Sequence, residues 1–268
     1  MIIGNRDFDC ENHTYIMGIL NVTPDSFSDG GVYNNIDSAL FRVKEMIEEG
    51  ADIIDVGGES TKPGFKKVSV DKEISRVVPV INRIKSEFDI PVSLDTYKAE
   101  TAFEGLKAGA DLINVVKNIC ETPELLKVIA MSKKPCCLTH NRYEHNYVNF
   151  GEDFYTDLSQ ILDTAVKAGV PENKIILDPG IGFCKTREEN LWVLNNMDMM
   201  GHLGCPWLLG SSRKSVIGDT LELPVEERLE GTLATTALAV MKGASFVRVH
   251  DIKANKRLIQ MLEAVKNA

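Results

Sequence analysis

Residues 49–57 have the sequence Glu-Gly-Ala-Asp-Ile-Ile-Asp-Val-Gly, in which a helix end is followed directly by an apolar run. Gly50 is typical of the residue that closes a helix in the left-handed conformation. The apolar run after it predicts a short strand. The same device, a glycine just before an apolar run, recurs at residues 108–110, 168–170 and 242–244. The repetition predicts a chain in which helices alternate with the strands of a parallel sheet.

Strand and helix patterns alternate along the whole chain. The apolar runs that predict strands lie at residues 16–22, 53–57, 92–95, 112–116, 136–140, 175–178, 207–210 and 246–250. The helix-period segments lie at residues 38–49, 72–87, 100–108, 123–131, 154–168, 188–197, 226–242 and 253–266. Eight strands, each followed by a helix, predict an α/β fold of the (β/α)8 TIM barrel type, and a doubly wound sheet is the alternative. Because no linker divides the chain, we expect a single domain over residues 1–268 with a short N-terminal hairpin at residues 2–15.

Composition and charge exclude several classes of function. The chain is 44% hydrophobic and 26% charged, which is typical of a globular protein. Its 30 Lys and Arg against 39 Asp and Glu give a net charge of -9, which argues against nucleic acid as a partner. We expect no membrane partner and a cytoplasmic location, because no signal peptide or long apolar stretch is recognisable. The six cysteines lack the spacing of a zinc site or a disulfide framework.

The predicted strands end in polar residues. Functional groups of a (β/α)8 barrel lie at the carboxyl ends of its strands, so these residues are expected to surround one mouth. The candidate groups are Asn21, Asp25, Asp55, Lys62, Asp95, Asn114, His140, Asp178, Lys214, Arg248 and His250. A single residue of this kind is often only a turn or cap residue. Polar groups at all eight ends indicate a ligand instead, because burying them without a partner costs free energy.

The candidate groups fall into two chemical sets. Cationic and polar groups suited to a phosphate or diphosphate, with help from a divalent cation, are Asn21, Thr61, Lys62, Arg248 and His250. Donors and acceptors suited to the edges of a flat heterocycle are Asp95, Asn114, Asp178 and Lys214. Together the sets predict a substrate with a ring and an anionic leaving group. Neither a His-ligated metal site at His140 and His145 nor a nucleophile at Cys184 is favoured by the spacing.

Several long motifs resemble those of the dihydropteroate synthase family. Residues 17–31 (MGILNVTPDSFSDGG) and 50–64 (GADIIDVGGESTKPG) are similar to its two characteristic segments. The resemblance continues at residues 178–183 (DPGIGF), 212–215 (SRKS), 227–231 (ERLEG) and 248–251 (RVHD). Related pterin-binding methyltransferases lack the SRKS and RVHD segments, so the chain resembles the synthase branch.

The resemblance implies a transferase of folate biosynthesis that condenses 6-hydroxymethyl-7,8-dihydropterin diphosphate with 4-aminobenzoate. It implies pterin contacts from Asp95, Asn114, Asp178 and Lys214. It implies diphosphate contacts from Asn21, Thr61, Arg248 and His250. It implies aminobenzoate contacts from Thr61, Pro63, Phe183 and Ser215. It further implies catalytic roles for Lys214, Arg248, His250 and Asp25, a Mg²⁺ ion held through Asn21, a homodimer, and sensitivity to sulfonamides.

Three residues depart from the usual pattern of the family. Val115 replaces an aspartate, Thr139 replaces a methionine, and Lys62 replaces an arginine. Strand alternation turns Val115 away from Asn114, so the pterin contact of Asn114 is expected to persist. The alternative hypothesis is a diverged paralogue that binds pterin but carries out another transfer reaction or none. The retained residues of the diphosphate set favour the synthase, because a protein that only binds the ring does not need them.

Overall fold

The barrel is formed by parallel strands. A computed structural model of the protein describes residues 1–23, 32–59 and 67–268, with only the backbone described at residues 32–35. The barrel strands in this part of the chain are β3 (Tyr15–Asn21), β4 (Ile53–Gly57), β5 (Val92–Asp95), β6 (Leu112–Val115), β7 (Cys136–Thr139), β8 (Ile175–Asp178), β9 (Leu208–Leu209) and β10 (Phe246–Val249). Their order in the sheet is β8-β7-β6-β5-β4-β3-β10-β9. A parallel bridge between Leu177 of β8 and Trp207, just before β9, brings the two edges together. The predicted TIM barrel is confirmed, with the predicted strands in place.

Helices follow the barrel strands and cover the outside of the barrel. Their bounds are α1 (Val32–Glu49), α2 (Val70–Glu87), α3 (Ala99–Lys107), α4 (Pro123–Ser132), α5 (Phe150–Lys167), α6 (Arg187–Asn195), α7 (Ser215–Leu221), α8 (Leu229–Met241) and α9 (Ile252–Lys266). The predicted glycine caps are confirmed, since φ is +102° at Gly50, +108° at Gly109, +96° at Gly169 and +84° at Gly243. None of the helices in the described residues is long and apolar enough to cross a bilayer.

The region after β9 differs from the prediction of one helix at residues 226–242. The structure has α7 immediately after Lys214, a short 3₁₀ turn at Val225–Glu227, and then α8. The sequence pattern missed α7 because its 7 residues are too few to establish a helical period. The consequence is functional, since α7 places its first turn at the mouth of the barrel. Two helices also begin earlier than predicted, α1 at Val32 and α5 at Phe150.

The apolar residues of the strands are divided between the inside and the outside of the barrel. Residues such as Ile54 and Val56 face the helices, whereas Met17 and Phe246 face the barrel interior. The N-terminal hairpin, β1 (Ile2–Ile3) paired antiparallel with β2 (Arg6–Asp7), packs against this interior set through Ile3. The predicted hairpin is therefore present, although it spans residues 2–7 rather than 2–15, and it closes the amino-terminal end of the barrel. The polar groups lie at the opposite, carboxyl end of the barrel.

Candidate active site

The strand register brings the predicted polar residues to one edge of the sheet. Asn21 pairs with Gly57, Gly57 with Asp95, and Asp95 with Asn114 across β3, β4, β5 and β6. Thr139 pairs with Asp178 across β7 and β8. Because all eight strands of the described sheet run parallel, these residues surround the same mouth.

Arg248 connects three strands at this mouth. Its Nε donates a hydrogen bond to Asp55 Oδ2 at 2.6 Å, and its Nη2 donates to Asp95 Oδ2 at 2.8 Å. Asn114 Nδ2 also donates to Asp55 Oδ2, at 3.2 Å. Asp55 is completely buried, and the paired guanidinium supplies the charge that a buried carboxylate needs. The sequence placed Asp55 at a strand end but did not identify its partner.

Several buried polar atoms at the mouth have no hydrogen-bond partner among the described residues. They include Asp55 Oδ1, Asn114 Oδ1, Ser93 Oγ and Thr139 Oγ1. Ser93, Asn114 and Thr139 alternate with Leu94, Ile113 and Leu138, which belong to the core facing the helices. The unpartnered atoms therefore point into the barrel. A ligand with N–H donors on its ring edges can satisfy these acceptors.

The two aspartates of the predicted pterin set are affected by burial. Burial raises the pKa of Asp95 to about 7, although the neighbouring Arg248 guanidinium opposes the change. Burial also raises the pKa of Asp178, and here the Lys214 ammonium is the largest opposing influence. The Oδ1 atom of Asp178 accepts a hydrogen bond from Gly180 N at 2.7 Å. Perturbed carboxyls of this kind are concentrated in binding and catalytic sites.

Lys214 stands at the N-cap position of α7 and faces the barrel mouth. Its Nζ donates to the carbonyl oxygen of Ile181 and lies 4.3 Å from the centroid of the Phe183 ring. Burial lowers the pKa of Lys214 to about 8, against the opposing charge of Asp178. Ser215, the first residue of α7, is exposed beside it. The structure thus brings together Lys214, Phe183 and Asp178.

His250 is held at the mouth by Ser212. The imidazole Nδ1 lies 3.0 Å from Ser212 Oγ, and the backbone N–H of His250 donates to the same oxygen at 3.2 Å. Next to this pair, the Arg213 guanidinium binds the carboxylate of Asp251 through two hydrogen bonds of 2.8 and 2.5 Å. The charge of Arg213 is therefore paired within the fold. Of the RVHD segment, both Arg248 and His250 lie at the mouth.

Members of the two chemical sets contact each other directly. Arg248 belongs to the predicted anion set, yet it binds Asp95 of the heterocycle set directly. Asn21 is the exposed last residue of β3 and lies next to Gly57. A Cβ atom placed on Gly57 would lie 3.6 Å from Asn21 Oδ1 and 3.7 Å from Asp95 Cβ. Through the contacts of Arg248 with Asp55 and Asp95, the polar groups of the two sets are therefore connected at the mouth.

Four residues that the sequence singled out, Asp25, Thr61, Lys62 and Pro63, lie outside the described residues. The residues on either side of residues 60–66, which include Thr61, Lys62 and Pro63, are described. Lys98 Nζ donates to Glu59, to the Val68 carbonyl at 2.8 Å and to Glu73 at 2.5 Å. Tyr97 Oη also donates to Glu59, at 2.9 Å. Sequence reasoning missed this buried network because its members come from different elements.

The departures at Val115 and Thr139 have different surroundings. Val115 belongs to the core between the barrel and the helices, so it points away from the mouth, as strand alternation predicts. Thr139 is 1% exposed and faces the barrel interior, and its hydroxyl has no partner in the part of the chain that the structure describes. The change at Val115 is therefore remote from Asn114, whereas the change at Thr139 alters the chemistry of the mouth itself.

Comparisons with known proteins agree with this geometry. Residues 17–250 match the family described as pterin binding enzyme. The chain is 55% identical to the dihydropteroate synthase of Clostridium beijerinckii, with 99% of each chain covered. It is 52% identical to the dihydropteroate synthase of Bacillus subtilis, covering 95% of this chain and 89% of the relative.

Solved structures of dihydropteroate synthases have the same fold as this chain. The dihydropteroate synthase of Clostridium difficile, crystallised in the presence of pteroic acid, superposes with a TM-score of 0.94 at 46% identity and covers 98% of this chain and 100% of its own. The Yersinia pestis dihydropteroate synthase, in a complex with a sulfonamide drug, has a TM-score of 0.92 at 38% identity over 100% and 99% of the two chains. The chain therefore belongs to the pterin binding enzyme family and, within it, to the dihydropteroate synthases.

Proposed function

We propose that the mouth of this barrel joins 6-hydroxymethyl-7,8-dihydropterin diphosphate to 4-aminobenzoate, giving 7,8-dihydropteroate and diphosphate. The main support is the set of buried acceptors at Asp55 and Asn114 that have no partner among the described residues, next to the perturbed carboxyl of Asp95. A pterin presents an amino group and ring N–H groups along one edge, so it supplies the donors that these acceptors lack. Asp178 and Lys214 complete the proposed pterin site.

In the reaction, positive charge develops on the methylene carbon of the pterin and negative charge on the leaving diphosphate. The bond between that carbon and the bridging oxygen breaks, and its electron pair leaves with the diphosphate. The arylamine nitrogen then forms the new C–N bond and releases a proton. In this proposal Asp95 and Asp178 stabilise the electron-poor ring, while Arg248 and His250 stabilise the departing anion. Substrate positioning supplies the remaining rate enhancement, without a protein nucleophile.

The aminobenzoate is proposed to bind beside Phe183 and Ser215. The Phe183 ring is half-buried under the Lys214 ammonium, and Ser215 is exposed at the start of α7. An aromatic ring stacked at this position would place its amino group toward the pterin methylene. Thr61 and Pro63 would complete this subsite, with Asp25 supporting the cationic intermediate. Sulfonamides are expected to compete for the same subsite, since the relative from Yersinia pestis is described with a sulfonamide drug.

A Mg²⁺ ion fits the diphosphate side of the site. The described residues contain no group of three or more His, Cys, Asp or Glu suited to a metal. Asn21 offers an amide oxygen at the exposed end of β3, and Mg²⁺ commonly takes few protein ligands together with substrate phosphates and water. Asn21 would therefore hold the ion jointly with the substrate. When bound, Mg²⁺ would neutralise negative charge on the leaving diphosphate.

A homodimer is proposed through the outer helices. Exposed apolar side chains occur on neighbouring helices α6, α7 and α8, at Leu191, Leu221, Leu238 and Met241. Exposed apolar side chains on helices that contact one another suit an interface with a second copy of the chain. A cytoplasmic location is also proposed, because the six cysteines are all unpaired, as expected in a reducing compartment. Sedimentation of the purified protein tests the dimer.

The reaction is tested by incubating the purified protein with the pterin diphosphate, 4-aminobenzoate and Mg²⁺. Dihydropteroate identified by mass, together with an equal amount of released diphosphate, is the expected result. Each component is omitted in turn as a control. Pterin binding without product formation would contradict the proposal and favour the diverged paralogue.

A further inference from the structure

Lys185 is a half-buried lysine with no place in the proposed chemistry. It follows the turn after β8, and its Nζ points back into that turn. The Nζ lies 2.9 Å from Gly180 O, 3.1 Å from Phe183 O, 3.3 Å from His140 O and 2.9 Å from His140 Nδ1. Burial lowers the pKa of Lys185 to about 7. A cation that is buried among carbonyl oxygens is costly, so its retention calls for a function.

The contacts of Lys185 clamp the turn against the end of β7. The carbonyl oxygens of Gly180 and His140 both accept hydrogen bonds from the same Nζ. The two backbones approach so closely that a Cβ atom on Gly180 would collide with the His140 carbonyl, and Gly180 has a φ of +69°. A residue other than glycine does not fit there. Lys185 therefore fixes the turn relative to the neighbouring strand.

This turn positions two groups of the proposed pterin site. The Gly180 N–H donates to Asp178 Oδ1 at 2.7 Å and so orients that carboxylate. The Ile181 carbonyl accepts from Lys214 Nζ, and the Phe183 ring lies under the same ammonium group at 4.3 Å. A shift of the turn would move Asp178, Lys214 and Phe183 together.

His140 gives Lys185 a rigid support. Lys185 donates to His140 Nδ1, so the proton of the neutral ring is on Nε2, which lies 3.0 Å from Asp157 Oδ2. Burial lowers the pKa of His140 to about 4, which keeps the ring neutral. Asp157 is held in turn by Arg142, through hydrogen bonds of 2.6 and 3.1 Å. The chain of contacts ends on α5, away from the mouth.

We propose that Lys185 is a positioning residue that holds the 178–183 turn, and through it Asp178 and Lys214, in the geometry that binds the pterin. It does not contact the substrate itself. This inference rests on the proposed function, because it assigns the pterin to Asp178 and Lys214. It adds to the site a residue whose partners are mainly backbone atoms.

The test compares Lys185→Met with Lys85→Met. Lys85 is a half-buried lysine at the opposite end of the barrel, where its Nζ binds Asp111 Oδ2 at 2.8 Å. For Lys185→Met we expect the KM for the pterin diphosphate to rise about tenfold, with a smaller fall in kcat, because misplaced binding groups weaken substrate positioning. Lys185→Arg, which retains the charge and N–H donors, is expected to recover part of the loss. Lys85→Met is expected to lower the Tm and leave the KM unchanged.

A Lys185→Met protein with a lower Tm but a normal KM would overturn the inference, because Lys185 would then serve stability alone. If Lys185→Met does not fold, Lys185→Gln takes its place in the same comparison. Titration with pteroic acid separates this inference from the proposed function. Wild-type protein that binds no pteroic acid and forms no product would refute the function. Wild-type binding that equals binding by the Lys185 variant would refute only the positioning role.

Discussion

The two ends of the barrel both contain buried polar residues, but these residues differ in how completely they are hydrogen-bonded. At the amino-terminal end, Asp111 accepts hydrogen bonds from Val92 N at 3.1 Å and from Lys85 at 2.8 Å, and the hairpin covers the interior with Ile3 and Phe8. At the carboxyl end, Asp55 and Asn114 each retain a buried oxygen without a partner among the described residues.

This difference indicates that the amino-terminal end stabilises the fold, whereas the carboxyl end binds a ligand. Partnered polar groups at the amino-terminal end hold the strands together, whereas unpartnered acceptors at the carboxyl end cost free energy until a ligand satisfies them. Changes at the carboxyl end should therefore affect substrate binding and turnover, and they should also lower the free energy of unfolding where a partnered group such as Arg248 is lost. Changes at the amino-terminal end should affect the free energy of unfolding.

The largest effect is expected from Arg248→Ala and Lys214→Ala. Each removes a fixed cation of the mouth, so kcat/KM should fall at least about 100-fold. Arg248→Ala should also reduce the free energy of unfolding by about 3 kcal/mol, because it leaves Asp55 and Asp95 buried without their partner. Steady-state kinetics at saturating cosubstrate and urea unfolding provide the measurements. Near-normal turnover in either variant would contradict the role assigned to that residue.

A bell-shaped pH dependence is the next expected effect. Asp95, with a pKa of about 7, is neutral at lower pH, and Lys214, with a pKa of about 8, loses its charge at higher pH. The kcat/KM for the pterin diphosphate should therefore fall as pH drops below about 7 and also as pH rises above about 8. Lys214→Arg keeps its charge over the whole range and should shift the alkaline limb upward. An unchanged alkaline limb in that variant would show that a group other than Lys214 sets this limb.

At the opposite end of the barrel, Asp111→Asn should affect stability alone. The substitution weakens the ion pair with Lys85 and the hydrogen bond from Val92 N, and we expect the free energy of unfolding to fall by about 2 kcal/mol. The KM values for both substrates should remain those of the wild type. A raised KM in this variant would remove the functional difference between the two ends.

Thr139→Val should have the smallest effect. The substitution removes the unpartnered hydroxyl and nearly preserves the side-chain shape, so stability should remain equal or rise slightly. If the hydroxyl contacts the pterin, the Kd for pteroic acid should rise about fivefold, which corresponds to one hydrogen bond of about 1 kcal/mol. Calorimetric titration with pteroic acid and a thermal melt measure the two quantities. Unchanged affinity would show that the pterin does not use this hydroxyl.

The sequence predicted the barrel and the convergence of its polar residues, because both follow from local patterns. Apolar runs after helix-closing glycines mark the strands, and parallel strands place their carboxyl ends at one mouth. Val115 illustrates the same rule, since alternation alone predicts that it faces away from Asn114. The seven-residue helix α7 was missed because it is shorter than the window in which a helical period can be recognised.

Contacts between distant residues could not be predicted from local patterns. Arg248 and Asp55 are 193 positions apart, and their ion pair depends on the closure of the barrel. Lys185 binds mainly backbone oxygens, which any residue type provides, so no pattern of side chains indicated its partners. The roles that the sequence assigned to Asp95, Asn114, Asp178 and Lys214 remain predictions, although the structure brings these residues together.

The most direct measurement is a crystal structure of this chain with pteroic acid bound. We expect the pterin ring at the carboxyl end of the barrel, within hydrogen-bond distance of Asp95, Asn114, Asp178 and Lys214. The aminobenzoate portion should lie beside Phe183, and the amino-terminal hairpin should be unchanged. A pterin bound elsewhere, or bound at the mouth without contacting these four side chains, would contradict the account.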